Sequence, residues 1–250
     1  MTLADDMHRN DFGQPVGAPQ STWQPARRPQ RNPLLGDRVR LEPLTAERHS
    51  DSLHAAFMMP GESPHDAPAA RWTYSGGMPF TDAEQCRIWL ADRARSEDPL
   101  FYAIVEADSN RALGLASYLN IVPEHGSIEV GHIHFTPALR RTPAATEAML
   151  LLMRHAFALG YRRYEWKCNA LNAASRRAAE RLGFRFEGIF RQHRVENGRS
   201  RDTAWFSLLD GEWPTVEARL ERWLAPENFD AKGKQLSSLS ALTYEACQAG

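Results

Sequence analysis

Two short turns hold most of the chemistry this sequence offers. Arg140-Arg141-Thr142-Pro143-Ala144-Ala145 is cationic and opens a predicted helix, and Asn169-Ala170-Leu171-Asn172-Ala173-Ala174-Ser175 is polar and opens another. Free backbone N–H groups and the positive end of the macrodipole converge at a helix start, so two such starts beside parallel-leaning strands make an anion site. The strand leading into the first turn carries Glu129 and His134, a carboxylate and an imidazole able to move a proton. Strict alternation puts His132 and His134 on one face of that strand. They lack further ligand-type partners, so a structural role is expected and no metal.

Composition narrows the classes. The chain has 250 residues, 42% of them hydrophobic, and a formal net charge of −1. A length of this order supports one domain with extensions. Without a basic excess, nucleic acid is not the expected partner. No apolar run approaches the ~20 residues that cross a bilayer, so no membrane partner is expected either. The first ten residues lack a signal peptide's apolar core. The three cysteines, Cys86, Cys168 and Cys247, form no metal-type cluster, which points to a reduced, cytoplasmic chain.

The elements that must position these groups follow from pattern. Residues 1–35, with Pro15, Pro19, Pro25, Pro29, Pro33 and Arg27, Arg28, Arg31, read as an extended arm lying on the surface or mobile, with Phe12 and Trp23 able to dock it. The domain is expected over 36–210. It begins with a strand at Arg38–Leu44, then a Thr45-capped helix to about Met58 and a long loop from Met59 to Gly77. A capping box at Thr81-Asp82-Ala83-Glu84 starts a second helix, running from Asp82 to about Ser96. Strands follow at Leu100–Glu106, Ala112–Ile121 and Ser127–Phe135. A helix over Ala144–Leu159 closes at Gly160, and a strand at Arg163–Cys168 precedes a helix over Ala173–Leu182 closed by Gly183. A hairpin of Phe184–Val195 and Arg201–Leu209 turns at Glu196-Asn197-Gly198. Residues 211–250 contribute a helix at Pro214–Leu224 and a polar, weakly patterned tail. Antiparallel strands first and a parallel pair later give a mixed α/β sheet.

These residues resemble the GNAT superfamily of acyl-CoA-dependent N-acetyltransferases from Gly36 to about Leu209, most specifically over residues 129–184. The family's pyrophosphate turn is written Gln/Arg-x-x-Gly-x-Gly/Ala; Arg140 takes the first place, Pro143 replaces the central glycine and Ala145 fits the last. The Ala145–Ala148 run resembles the ribosomal-protein N-terminal acetyltransferase branch. Asn172-Ala173-Ala174-Ser175 with Glu180-Arg181-Leu182-Gly183-Phe184 resembles the Asn-x-x-Ser…Glu-x-x-Gly-Phe signature. The resemblance implies a GNAT-type three-layer α+β fold: a central mixed, mostly antiparallel sheet with a splayed parallel pair and helices on both faces. Acetyl-CoA is then the implied cosubstrate. Its diphosphate would meet Arg140, Arg141, Thr142, Ala144 and Ala145, and its pantetheine arm Ile133, His134, Phe135, Asn169, Asn172 and Ser175. Pro143 suits a first helical turn but removes one N–H, which the arginines can offset with charge.

The implied reaction is attack of a neutral primary amine on the thioester through a tetrahedral intermediate. At pH 7 neutrality costs a peptide α-amine about 1 kcal/mol and a lysine ε-amine about 4–5 kcal/mol. Glu129 is the candidate base, His134 the runner-up, and Ser175 the group placed to protonate the departing thiolate. Trp72, Tyr74 and Phe80, in or beside the long loop, and Tyr118 on the third strand, are candidate walls for the acceptor, a protein N-terminus or a small amine. Arg191 and Arg194 can favour an acidic acceptor. A homodimer is compatible with the arm and the added helix. The competing reading is a GNAT-like module that binds an acyl-CoA for regulation and catalyses nothing.

Overall fold

The computed structural model describes residues 8–61 and 66–248, with side chains through Thr243. The sequence readings of residues 1–7 and 62–65 and of the Cys247 side chain fall outside those described. The elements are β1 (His8–Arg9), β2 (Pro15–Val16), β3 (Leu34–Leu35), β4 (Val39–Pro43), α1 (Ala46–Met58), α2 (Ala83–Ala94), β5 (Leu100–Glu106), β6 (Ala112–Val122), β7 (Ser127–Phe135), α3 (Pro143–Ala158), β8 (Arg163–Asn169), α4 (Ala173–Leu182), β9 (Arg185–Glu196), β10 (Arg199–Leu209), α5 (Trp213–Leu224) and α6 (Leu239–Gln248).

Eight strands form one sheet in the order β3-β4-β5-β6-β7-β8-β10-β9, and β1 and β2 make a separate hairpin. Within the large sheet β7 and β8 run parallel and the other neighbouring pairs antiparallel. Alternation on β5 shows how the sheet serves two layers. Leu100, Tyr102 and Ile104 pack with Ala148, Met149 and Leu152 of α3, while Phe101, Ala103 and Val105 pack with Leu53 and Phe57 of α1 and Leu90 of α2. Helices α1 and α2 therefore cover one face, and α3 to α6 the other.

Local chemistry sets the helix ends. Thr45 accepts from the N–H of Arg48, and Thr142 accepts from that of Ala145 with Pro143 at the first position. The second helix is capped by Asp82, not Thr81: Asp82 accepts from Gln85 N–H, and the Gln85 carbonyl oxygen returns to Thr81 N–H. Gly183 sits at φ 102° and closes α4 as expected. Glu147, buried in α3, accepts from the N–H groups of Arg38 (2.7 Å) and Val39 (2.9 Å), pinning the start of β4 to the helix. A Cβ on Gly36 would lie 2.9 Å from that carboxylate, so a side chain there would displace the Glu147 contacts.

The segment before Gly36 lies along its own domain. Ala26 is buried and donates to Pro123 O, Arg27 N–H donates to Leu159 O, and Trp23 packs against Gly126 under Arg162. Leu34 and Leu35 join the sheet as β3, beside Leu41 and Arg40. Phe12 remains exposed. The tail is more ordered than its polar composition suggests, because Leu239 and Leu242 bury themselves with α5 in the core. Cys86 and Cys168 are buried free thiols, and burial pushes Cys86 up to about 12. Among the described residues no helix is long and apolar enough to cross a membrane.

Candidate active site

β7 and β8 pair only from Ser127–Arg163 to Val130–Trp166 and then part. Beyond that rung the facing edges of Gly131–Phe135 and Lys167–Asn169 open into a cleft of about 380 Å³. Its walls come from the splayed strands, the start of α4, the end of α2, the β9–β10 hairpin and the 3₁₀ turn Ala69–Ser75 with the residues after it. The hairpin tip ties to that loop through Asn197 Nδ2–H, which donates to Gly76 O at 3.2 Å.

A bulge decides what β7 presents to this cleft. Leu115 pairs with His134 and Ser117 with Gly131, so His132 and Ile133 stand against the single residue Ala116, and His132 takes φ 48°. Strict alternation would put Glu129 and His134 on opposite faces. With the extra residue both line the cleft, while Ile128, Val130, Ile133 and Phe135 pack toward α3. The expected sharing of a face by His132 and His134 is met, but through the bulge. His132 Nδ1 lies 2.8 Å from Ser117 Oγ and its ring meets Phe101, whereas His134 stacks on Trp72 at 3.9 Å with Phe57 at its edge.

Glu129 is buried at the mouth of the splay. Its Oε2 stands 2.6 Å from Lys167 Nζ and accepts from Asn120 Nδ2–H at 2.6 Å. Asn120 occupies a second bulge, on β6, whose Asn120 and Ile121 N–H groups donate to the Asp98 carboxylate. Lys167 sits directly across from Trp205 on β10, with its ammonium 3.9 Å from the ring centroid. Burial raises the Glu129 carboxyl above the ordinary carboxylate range, and Lys167 and Asn120 pull part of the way back. His134 is pushed down to about 3 by burial first and then by the positive neighbourhood of His132 and Arg93. An imidazole that resists a proton so strongly is a weak base near neutrality, which favours Glu129 over His134 for that role.

The two helix starts differ in what they leave open. At α4, Asn172 Oδ1 accepts from Ser175 N–H, and Ser175 Oγ accepts from Trp166 Nε1–H at 3.0 Å. Indole N–H is only a donor, so Ser175 keeps its own proton to give, and the buried Cys168 thiol is a side-chain hydrogen-bond partner beside it. Asn169 uses its Oδ1 on Leu171 N–H. Asn169, Asn172, Ser175, Ile133 and His134 all line the cleft. At α3, Thr142 takes the Ala145 N–H and Pro143 has none, leaving Ala144 the first-turn donor nearest the turn. Arg141 holds φ 62°, bending the chain into the cap. Arg140 is ion-paired with Asp66 of the loop, which also faces Arg71, so its guanidinium is already engaged.

Two expected acceptor contacts fall elsewhere. Tyr118 faces α3, because Leu115, Ser117 and Leu119 take the other side of β6; it is fully buried and donates to Leu152 O at 2.6 Å. Phe80 is buried among Phe57, Trp72 and Trp89 and anchors the loop instead of lining the cleft. Trp72 and Tyr74 do reach the cleft. Residues that sequence reasoning passed over include Lys167, Asn120, Arg93, Arg201 and His193. Their strand or helix context was legible, but pairing Lys167 with Glu129 requires the β7–β8 register. Among the described residues no cluster of His, Cys, Asp and Glu can hold a metal ion.

Residues 38–185 match the acetyltransferase (GNAT) domain family. This chain belongs to the GNAT acetyltransferase family. A GCN5-related N-acetyltransferase from Brucella melitensis is 45% identical, with a TM-score of 0.84 over 90% of this chain and 99% of that one. An uncharacterised N-acetyltransferase of Bacillus subtilis, YoaA, is 28% identical over 109 residues, 43% of this chain and 61% of the relative. The RimL ribosomal L7/L12 alpha-N-protein acetyltransferase shares the fold at 20% identity and a TM-score of 0.58, covering 71% of this chain and 94% of that one. In this GNAT chain the turn that opens α4 lines the cleft at the splayed β7–β8 pair, through Asn169, Asn172 and Ser175.

Proposed function

We propose that this protein transfers an acetyl group from acetyl-CoA to a primary amine. The observation that carries the reading is the cleft itself: a parallel strand pair that splays after Val130 and Trp166, with α4 opening on its rim and a buried carboxylate at its vertex. The residues suit the cosubstrate. The α3 start offers the Ala144 N–H beside Arg141, the splayed edges offer strand backbone to an amide-bearing arm, and Asn172 keeps its side-chain N–H₂ while its oxygen caps α4. Bound acetyl-CoA supplies the activated acyl carbon.

The chain's own groups divide the remaining work. Glu129 takes a proton from the incoming ammonium before attack, or from the amine nitrogen as it adds to the acyl carbon, directly or through water, and its raised affinity for a proton suits that task. Lys167 and Asn120 hold the carboxylate in place. Backbone N–H groups around Ile133–Phe135 face the developing oxyanion. Ser175, whose oxygen already accepts from Trp166, directs its proton toward the leaving sulfur and recovers one from solvent, while the proton that Glu129 took from nitrogen is released. Trp72 and Tyr74 form the aromatic side of the acceptor end. The acceptor is a protein N-terminal amine or a small amine; the RimL relative supports the first through its fold alone.

The test is thiol release from acetyl-CoA across a panel of peptide and small amines, with coenzyme A binding measured in parallel. Amine-dependent release that falls in Glu129→Gln supports the reading. Binding without release on every amine would replace it with a non-catalytic acyl-CoA-binding module.

A further inference from the structure

The charges lining the cleft do not cancel. Arg93, Lys167, Arg194 and Arg201 face Glu129 and Glu196. Lys167 is paired with Glu129, and Arg201 with Glu196. Arg194, on β9, is exposed. Arg93 is different: its side chain is about 30% exposed, its guanidinium lies 3.9 Å over the Trp89 ring, and Nη1–H donates to Trp89 O at 3.3 Å. Its nearest carboxylate is Asp92, 3.7 Å away, mostly in solvent and shared with Arg95. A guanidinium so fixed has given up water, and its ion pair with Asp92 is long, mostly solvated and shared, so it offsets little of that loss. Burial accordingly weakens its hold on its proton.

Other donors nearby are also in surplus. Trp89 Nε1–H and Arg201 Nε–H are buried without a hydrogen-bond partner among the described residues, and both side chains line the cleft. A cleft whose lining carries more positive than negative side chains calls for an oxygen-rich anionic group. Arg93 lies at the end of α2, in the helical layer opposite α3 and α4, whose starts are assigned to the cosubstrate. The group it meets therefore belongs to the acceptor.

Resting on the acetyl-transfer reading, we propose that Arg93 binds a carboxylate of the acceptor, so that the substrate is an amine bearing a carboxylate. Trp89 pre-orients the guanidinium, and its planar fork can grip both carboxylate oxygens. Two sources share this chemistry: the α-carboxylate of a free amino acid and the acidic side chain of a peptide.

The experiment uses the full chain and acetyl-CoA, reading thiol release. One arm compares free amino acids with their amides; the other compares amidated dipeptides beginning with Glu or with Gln. The expected result is a preference in kcat/KM for the carboxylate form in one arm, which identifies the source. In Arg93→Ala that preference falls about 10-fold or more, and Arg93→Lys falls between the two. Coenzyme A binding by calorimetry, retained in both variants, separates lost selectivity from lost folding. Equal rates for acid and amide in both arms, or a preference untouched by Arg93→Ala, would overturn the carboxylate subsite while leaving acetyl transfer standing. No release from any amine would remove the transfer reading, and the subsite with it.

Discussion

The carboxylate of Glu129, one residue before the last rung that joins β7 to β8, and the ammonium of Lys167, one residue after it, meet at 2.6 Å. Each comes from a strand that leaves its neighbour at that point, so the pair closes the vertex of the cleft. Trp205 beneath Lys167 and Asn120 beside Glu129 fix both ends. The ammonium stabilises the charged carboxylate, while burial opposes it, and burial wins.

That balance predicts a pH profile. A base works in its deprotonated form, so kcat/KM should climb as pH rises through the Glu129 pKa, which lies above the ordinary carboxylate range. Lys167→Met removes the lowering influence and should move this acid limb to higher pH. Glu129→Gln should abolish the limb and reduce kcat/KM about 100-fold, with lysine-like acceptors hurt more than α-amines. A Lys167→Met profile superimposable on wild type would show that the pair does not set the base.

Ser175 is bound by its own geometry to a double role. It accepts from buried Trp166 Nε1–H, so Ser175→Ala leaves that donor unsatisfied and should cost about 1–3 kcal/mol of stability in urea unfolding. The same change should lower kcat more than the KM for acetyl-CoA, because the lost proton serves the leaving sulfur. A kcat unchanged beside the stability loss would reduce Ser175 to a cap for the indole.

Much of this arrangement was legible in residue order. Strands Leu100–Glu106 and Ser127–Phe135 and helix Ala173–Leu182 fall where periodicity and caps place them. Thr45, Thr142 and Gly183 act as helix punctuation because their side chains, or the lack of one, satisfy orphan backbone groups locally. What stayed hidden depends on partners. The bulge at His132 exists only relative to β6, and it alone brings Glu129 and His134 to one face. The side of β6 that Tyr118 takes is fixed by packing on α3, which residue order does not show. The Arg140–Asp66 and Lys167–Glu129 pairs join segments far apart in sequence, so spacing carries no signal of them.

The Arg140–Asp66 pair bears on cosubstrate affinity. If Arg140 is to meet a phosphate it must exchange Asp66 for it, and Asp66 keeps Arg71 as a second partner when that happens. Asp66→Asn should therefore tighten coenzyme A binding several-fold, and Arg140→Ala should weaken it, both by about a factor that one charge-assisted contact supports. Calorimetry on the two variants checks this, and an affinity identical in both would mean Arg140 serves only the loop.

His134 ties the cleft to acid stability. Unfolded, it titrates near 6.5; folded, against Trp72 and Phe57, at about 3. Between those values the unfolded chain binds a proton that the native one refuses, so stability falls as pH drops from 6.5 toward 3. The slope from this group alone is about 1.4 kcal/mol per pH unit. His134→Phe keeps an aromatic ring against Trp72 and has nothing to protonate. Urea unfolding at pH 7, 6, 5 and 4 should then show a shallower acid loss than wild type, the difference growing as the pH is lowered. Parallel curves would mean the imidazole reaches water more freely than its stacking implies, and that it remains available as a proton carrier in the cleft.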